Sequence, residues 1–135
     1  MNLVHILWRF PAQEVQVYCS AANDGRLALA SFATGNTAYE STLVFSGGRE
    51  CGHVRIMLGV PHEQLASEGI IGIREVSLLS TATNFALERG AVASDGSPNN
   101  RAALATDADL ATRWISYSGE PTNLTIDLGM IQVAW

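Results

Sequence analysis

The sequence predicts an all-β fold, a sandwich or a barrel, and three observations carry that prediction. Short stretches in which apolar side chains alternate with others recur at regular spacing along the 135 residues. Clusters of Gly, Pro and Asn separate them. Almost no stretch has the 3.6-residue period of an amphipathic helix. A chain of this length has room for one core and not for two, so residues 1–135 are read as a single domain.

Residues 3–10 form the first expected strand, with Val4, Ile6 and Trp8 on one face, His5 and Leu7 on the other, and Pro11 ending it. Residues 14–20 form the second, in which Val15, Val17 and Cys19 share a face, and Asn23-Asp24-Gly25 follows as a hairpin turn. Residues 27–32 and 41–45 are shorter strands, divided by Gly35-Asn36-Thr37 and followed by the breaker Gly47-Gly48. Residues 53–58 alternate Val54, Ile56 and Leu58 against Arg55. Residues 60–69, with Pro61, His62 and Glu63, read as a loop, residues 70–79 as a strand interrupted by Gly72, and residues 81–83 as a connector. Beyond them the sequence predicts a brief strand within 84–92, an exposed loop over 94–101, a polar loop over 115–121, and strands at 124–127 and 131–135.

The formal charge is −5, and every one of the eight basic residues is an arginine. An acidic surface without lysine tracks phosphates poorly, which argues against nucleic acid as a partner. The missing lysine also removes Schiff-base chemistry and a P-loop. No apolar run is long enough to span a bilayer, and the N-terminus lacks the basic region and cleavage site of a signal peptide. The expectation is a chain that stays inside the cell or a piece of a larger protein. Cys19 and Cys51 are either one disulfide or two buried thiols. Cys51-Gly52-His53 places a thiol and an imidazole on one strand face, but no orienting group or oxyanion site accompanies them, and no hydrolase-like carboxylate pair stands out. No enzyme is therefore expected. Arg55, within an apolar strand, requires a carboxylate partner, and Asn123-Leu124-Thr125 has the pattern of an N-glycosylation site.

Residues 105–114 hold Asp107, Asp109 and Thr112 in a short, turn-prone run. Their spacing alone leaves two readings, a turn in which these side chains bond nearby backbone amides or a set of hard oxygen ligands for calcium. The pattern Ala105-x-Asp107-x-Asp109-x-x-Thr112-x-Trp114, followed by Leu124-Thr125-Ile126-Asp127-Leu128-Gly129, resembles the signature of discoidin domains. That family includes the C-type domains of coagulation factors V and VIII and many carbohydrate-binding modules. The resemblance implies a discoidin-type jelly-roll β-sandwich of the galactose-binding-domain-like kind. In the family the motif opens the domain, whereas here it lies toward the end. Val4-His5-Ile6-Leu7-Trp8 resembles the strand that follows Asp-Leu-Gly, and residues 12–25 the next hairpin. His53-Val54-Arg55-Ile56 is similar to the penultimate strand, and Gly72-Ile73-Arg74-Glu75-Val76 to the last. The order is thus that of a circular permutation. Residues 1–80 correspond to the family's C-terminal part, 81–83 to a connector between its usual ends, and 84–135 to its N-terminal part. A fragment cut across two tandem domains has the same order, and in either case the halves can complete one another within a chain or by segment exchange in a dimer.

The resemblance implies a structural calcium ion held by Asp107, Asp109, Thr112 and Glu75, with backbone carbonyls near Leu104 and Thr112. Ala108 stands where the family has a glycine, at a place where a left-handed backbone is common. It also implies ligand binding by loops at one end of the sandwich, here residues 9–13, 60–68, 95–101 and 115–121. Within them Asn100, Arg101, Tyr117, Glu120, Arg9 and His62 are the candidate contacts to a glycan or a cell-surface protein. Trp8 and Trp114 match core tryptophans, while Trp135 stands at the end with partial exposure. Phe10, Ile115 and Tyr117 are the large apolar residues that a phospholipid-binding variant would expose. A scaffold or assembly subunit making protein contacts is the alternative from another class. Family members act outside the cell as parts of larger proteins.

Overall fold

In the computed structural model, residues 3–20, 28–33, 39–45, 49–59, 70–80, 83–94, 101–116 and 122–134 are described. Alternation in the strands sets the layers. Strand β1 (Leu3–Phe10) buries Val4, Ile6 and Trp8, and β2 (Val15–Ser20) buries Val15, Val17 and Cys19. Strands β3 (Ala28–Ala33) and β4 (Glu40–Val44) are shorter. Val54, Ile56 and Leu58 of β5 (Arg49–Leu58) and Val76 and Leu78 of β6 (Ile71–Ser80) join the same core. After β7 (Thr83–Asn84), β8 (Ala91–Ala93) and β9 (Trp114–Ser116), strand β10 (Thr122–Ala134) adds Leu124, Ile126 and Leu128. Two antiparallel sheets enclose this core, one ordered β4-β1-β6-β7 with β9 also paired to β6, the other β3-β2-β5-β10-β8. The chain is therefore an all-β sandwich. Among the described residues the helical content is one 3₁₀ turn, Ala102–Ala105, and no helix is long and apolar enough to cross a membrane.

Several boundaries differ from the sequence reading, each for a physical reason. Strand β5 starts four residues before His53, because Arg49, Glu50 and Cys51 pair with the far end of β10. The strands expected at 124–127 and 131–135 are one strand with an irregularity between Asp127 and Gln132. At that break Gly129 takes φ +72°, and Asp127 Oδ1 accepts its N–H at 2.9 Å. The polar loop expected from 115 begins later, since Ile115 and Ser116 pair with β6. Ile115 is 5% exposed, which removes it as a membrane-inserting tip. Thr83 belongs to the pairing with Ser80 rather than to a connector. Asn84 Oδ1 holds the return by accepting the N–H groups of Leu78 and Ala86, each at 3.0 Å. The expected turns and loops at 23–25, 35–37, 47–48 and 60–69, residues 81–82 of the connector and Trp135 lie outside the described residues.

Trp8 and Trp114 are both buried in the core. A disulfide joins Cys19 of β2 to Cys51 of β5, with Cα atoms 5.3 Å apart and both residues buried. It leaves Cys51 without the thiol that a nucleophile beside His53 would need. The carboxylate partner expected for Arg55 is not found among the described residues. The Arg55 Nε donates to Thr125 Oγ1 at 3.0 Å.

Candidate functional site

The site begins with a fault in β6. Leu7 of β1 pairs with Glu75, but Trp8 pairs with Ile73, so Arg74 is an extra residue with no partner across the ladder. This is a β-bulge, and it reverses the parity of the strand. Ile71 and Ile73 are buried on one side of it, Val76 and Leu78 on the other, and Arg74 between them is exposed. Gly72 allows the end of β1 to lie close, since a Cβ there would stand 3.1 Å from Phe10 Cδ2 and 3.3 Å from Arg9 Cβ.

The bulge leaves Glu75 beside Leu7, on the face turned away from the core, and yet Glu75 is only 5% exposed. The motif loop covers it. Ala108 donates its N–H to Glu75 Oε2 at 3.1 Å and takes φ +62°, a left-handed backbone that a glycine would take freely. The loop is held by its own side chains. Asp107 Oδ1 accepts the Asp109 N–H at 3.0 Å, and Asp107 Oδ2 accepts the Thr112 hydroxyl at 2.6 Å. Asp109 Oδ1 accepts the Ala111 N–H at 2.9 Å. Both aspartates thus accept from nearby backbone N–H groups, as the first reading of the spacing expects, while the Thr112 hydroxyl donates to Asp107 Oδ2 and the Asp109 carbonyl instead.

Burial pushes the Glu75 carboxyl up from 4.5 to about 7. The Ala108 N–H works in the other direction, while the charges of Asp107 and Asp109 raise it further. Glu75 Oε1 is buried with no hydrogen-bond partner. Leu104 is half-buried in the 3₁₀ turn, its N–H bonded to the Arg101 carbonyl at 3.0 Å. Among the described residues, no three His, Cys, Asp or Glu side chains are gathered tightly enough to chelate a metal as they stand.

Beside this loop lies a cavity of about 370 Å³ lined by Leu7, Trp8, Arg9, Tyr39, Arg74 and Leu110. These residues meet at one end of the first sheet, where β1 finishes, Tyr39 leads into β4, and the bulge of β6 meets the motif loop that carries Leu110. The floor is pinned by two bonds of Trp8. Its backbone N–H donates to the Tyr39 carbonyl at 2.9 Å and its indole N–H to Ser41 Oγ at 2.8 Å. The Arg9 guanidinium sits 4.8 Å over the Phe10 ring. Arg9, Arg74, Tyr39 and Leu110 are all exposed, which gives the cavity two cations, an aromatic ring and an aliphatic tip.

Of the candidate ligand contacts, Arg9 lines this cavity and Arg101 does not; Arg101 is the exposed residue preceding the 3₁₀ turn. Asn100, Tyr117, Glu120 and His62 lie outside the described residues. Sequence reasoning missed Arg74, Tyr39 and Leu110. The available signal was Arg74-Glu75, two adjacent charges inside an apolar strand, which alternation alone cannot accommodate. Tyr39 carried no such signal. Comparison of the chain with protein-family models, with curated proteins and with solved structures finds no match.

Proposed function

We propose that this chain is a non-enzymatic binding module that takes a glycan into the cavity at the motif-loop end of the first sheet. The observation that carries the reading is the β-bulge, which lifts Arg74 out of the strand to stand with Arg9 and Tyr39. Guanidinium forks donate paired hydrogen bonds to neighbouring sugar oxygens, and an exposed ring with an adjacent aliphatic side chain suits the C–H face of a sugar. The discoidin resemblance, with its permuted jelly roll, points the same way. It is supported by the meeting of the motif loop with Glu75 across 33 residues and by the tight β6–β7 return at the expected junction. The disulfide fits an oxidising compartment.

A calcium ion belongs to this reading as a structural tie. Glu75, Asp107, Asp109 and Thr112, with carbonyls near Leu104, offer only hard oxygens, the donor type calcium takes. The partnerless Glu75 Oε1 beside two further carboxylates supports it. Exposed Leu110 and Tyr39 next to two arginines favour a second reading, an anionic phospholipid headgroup.

A glycan array run alongside phosphatidylserine vesicles tests the proposal. Glycan binding that is lost in Arg74→Gln and Tyr39→Ala supports the glycan site, and vesicle binding lost in the same variants moves the reading to lipid. Silence on both, with a stable protein complex instead, replaces it with a scaffold. For the ion, calcium should raise the melting temperature over chelator in wild type and not in Asp107→Ala; equal melting in both conditions removes the ion.

A further inference from the structure

The outer face of the second sheet carries a separate cavity of about 460 Å³, distinct from the motif-loop end and independent of the function proposed above. Its walls come from β5, β8 and β10. The core residues Val54 and Ile56 alternate with His53 and Arg55, and Leu124, Ile126 and Leu128 with Asn123, Thr125 and Asp127, so the polar members all point outward. Register then fixes their neighbours. Arg55 stands opposite Thr125, and Thr125 opposite Val92 of β8. His53 stands opposite Asp127, with its Nε2 3.6 Å from Asp127 Oδ2. The two rows are roughly 7 Å apart, the repeat of same-face side chains along a strand. Ser94 closes one side, its hydroxyl fixed to Thr122 Oγ1 at 2.8 Å.

Charge decides what fits. The Nε of Arg55 is committed to Thr125, which orients the guanidinium plane, while no carboxylate pairs with it among the described residues. A half-buried guanidinium is a positive fork suited to the plane of a carboxylate. One row away, Asp127 and His53 can accept from and donate to hydroxyl groups. Val92, 72% exposed, gives an aliphatic surface in line with Arg55 and Thr125. We propose that this face binds an acidic sugar, a uronic acid, with the carboxylate on Arg55, the ring hydroxyls toward Asp127 and Asn123, and the apolar ring edge against Val92. The span between the two rows is that of a hexose ring with its substituents.

The test is titration calorimetry of the whole chain with the methyl glycosides of glucuronic and galacturonic acid and of neutral galactose. Saturable binding of at least one uronate is expected, with the neutral sugar about tenfold weaker or more, as befits the loss of a charge-assisted bidentate contact. With the first cavity disabled by Arg74→Gln, Arg55→Gln should still weaken uronate by a similar factor, while Val44→Ala, exposed on the other sheet and lining neither cavity, should leave it unchanged. Thr125→Val, which keeps the charge but releases the guanidinium plane, should weaken it less than Arg55→Gln, and it stands in if Arg55→Gln does not fold. Equal affinity for acid and neutral sugar, binding that follows Arg74 instead of Arg55, or no saturable binding of either uronate overturns the proposal.

Discussion

Glu75 on β6 and Arg55 on β5 pose the same problem with opposite signs, since each sets a charged group in a strand whose neighbours are core residues. The two sheets answer differently. Glu75 is covered by the motif loop and receives one N–H from Ala108, and its carboxyl moves up to about 7, so the residue can shed its charge by holding a proton near neutrality. A guanidinium has no such option. Arg55 is left half-buried, bonded to one hydroxyl and open to a cavity. A strand can therefore hide an acid under a loop, but it must leave a comparable arginine access to water or to an anion.

The largest expected effect comes from making Glu75 permanently neutral. In chelator, and between pH 4.5 and about 7, the folded protein holds a proton on Glu75 that the unfolded chain has released. Stability contributed by this group is thus complete below pH 4.5, falls as pH rises through the window, and levels off above it. Glu75→Gln keeps the shape without the charge. Urea unfolding should find it more stable than wild type above pH 7, by at most about 3 kcal/mol, with the difference shrinking to near zero below pH 4.5. A difference that is constant with pH would mean that Glu75 is solvated and the contrast with Arg55 is false.

Much of this was legible in the sequence, and the failures are local. Alternation in residues 3–10 and 53–58 placed Val4, Ile6, Trp8, Val54, Ile56 and Leu58 in the core. The bond from Ala108 to Glu75 could not be read from spacing, because the two residues lie 33 apart in the chain. The adjacent charges Arg74-Glu75 mark a break in alternation, but that the break is a bulge is a property of two strands in register, and a sequence presents them one at a time. Arg55 was assigned an ion pair because burial of a charge requires compensation. What sequence could not supply was its neighbour across β10, Thr125 and not an acid.

Two smaller effects sharpen the motif-loop side. Thr112→Val removes the hydroxyl that bonds Asp107 Oδ2 and Asp109 O, leaves both acceptors short of a donor, and should cost about 1 kcal/mol. Ala108→Gly acts in the opposite direction. It relieves the left-handed backbone at φ +62°, offset in part by the greater freedom of glycine in the unfolded chain, for a net gain of roughly 0.5–1 kcal/mol. Chemical denaturation in chelator measures both. A loss from Ala108→Gly would mean that the alanine methyl packs against the loop and that the backbone there is not strained.

The smallest effect is expected on the other sheet. Arg55→Met keeps the long apolar stem and removes a guanidinium held by one neutral hydroxyl, so without ligand its stability should lie within about 0.5 kcal/mol of wild type. That difference should be the same at about pH 5 and at about pH 8, the interval over which the Glu75 variant changes most. The neighbouring His53–Asp127 contact, 3.6 Å long with Asp127 mostly exposed, adds only a few tenths of a kcal/mol and does not confuse the measurement. A loss of several kcal/mol in Arg55→Met would instead reveal a fully compensated buried charge, since removing one partner of such a pair strands the other. The cavity beside it would then have no free cation with which to hold an acid.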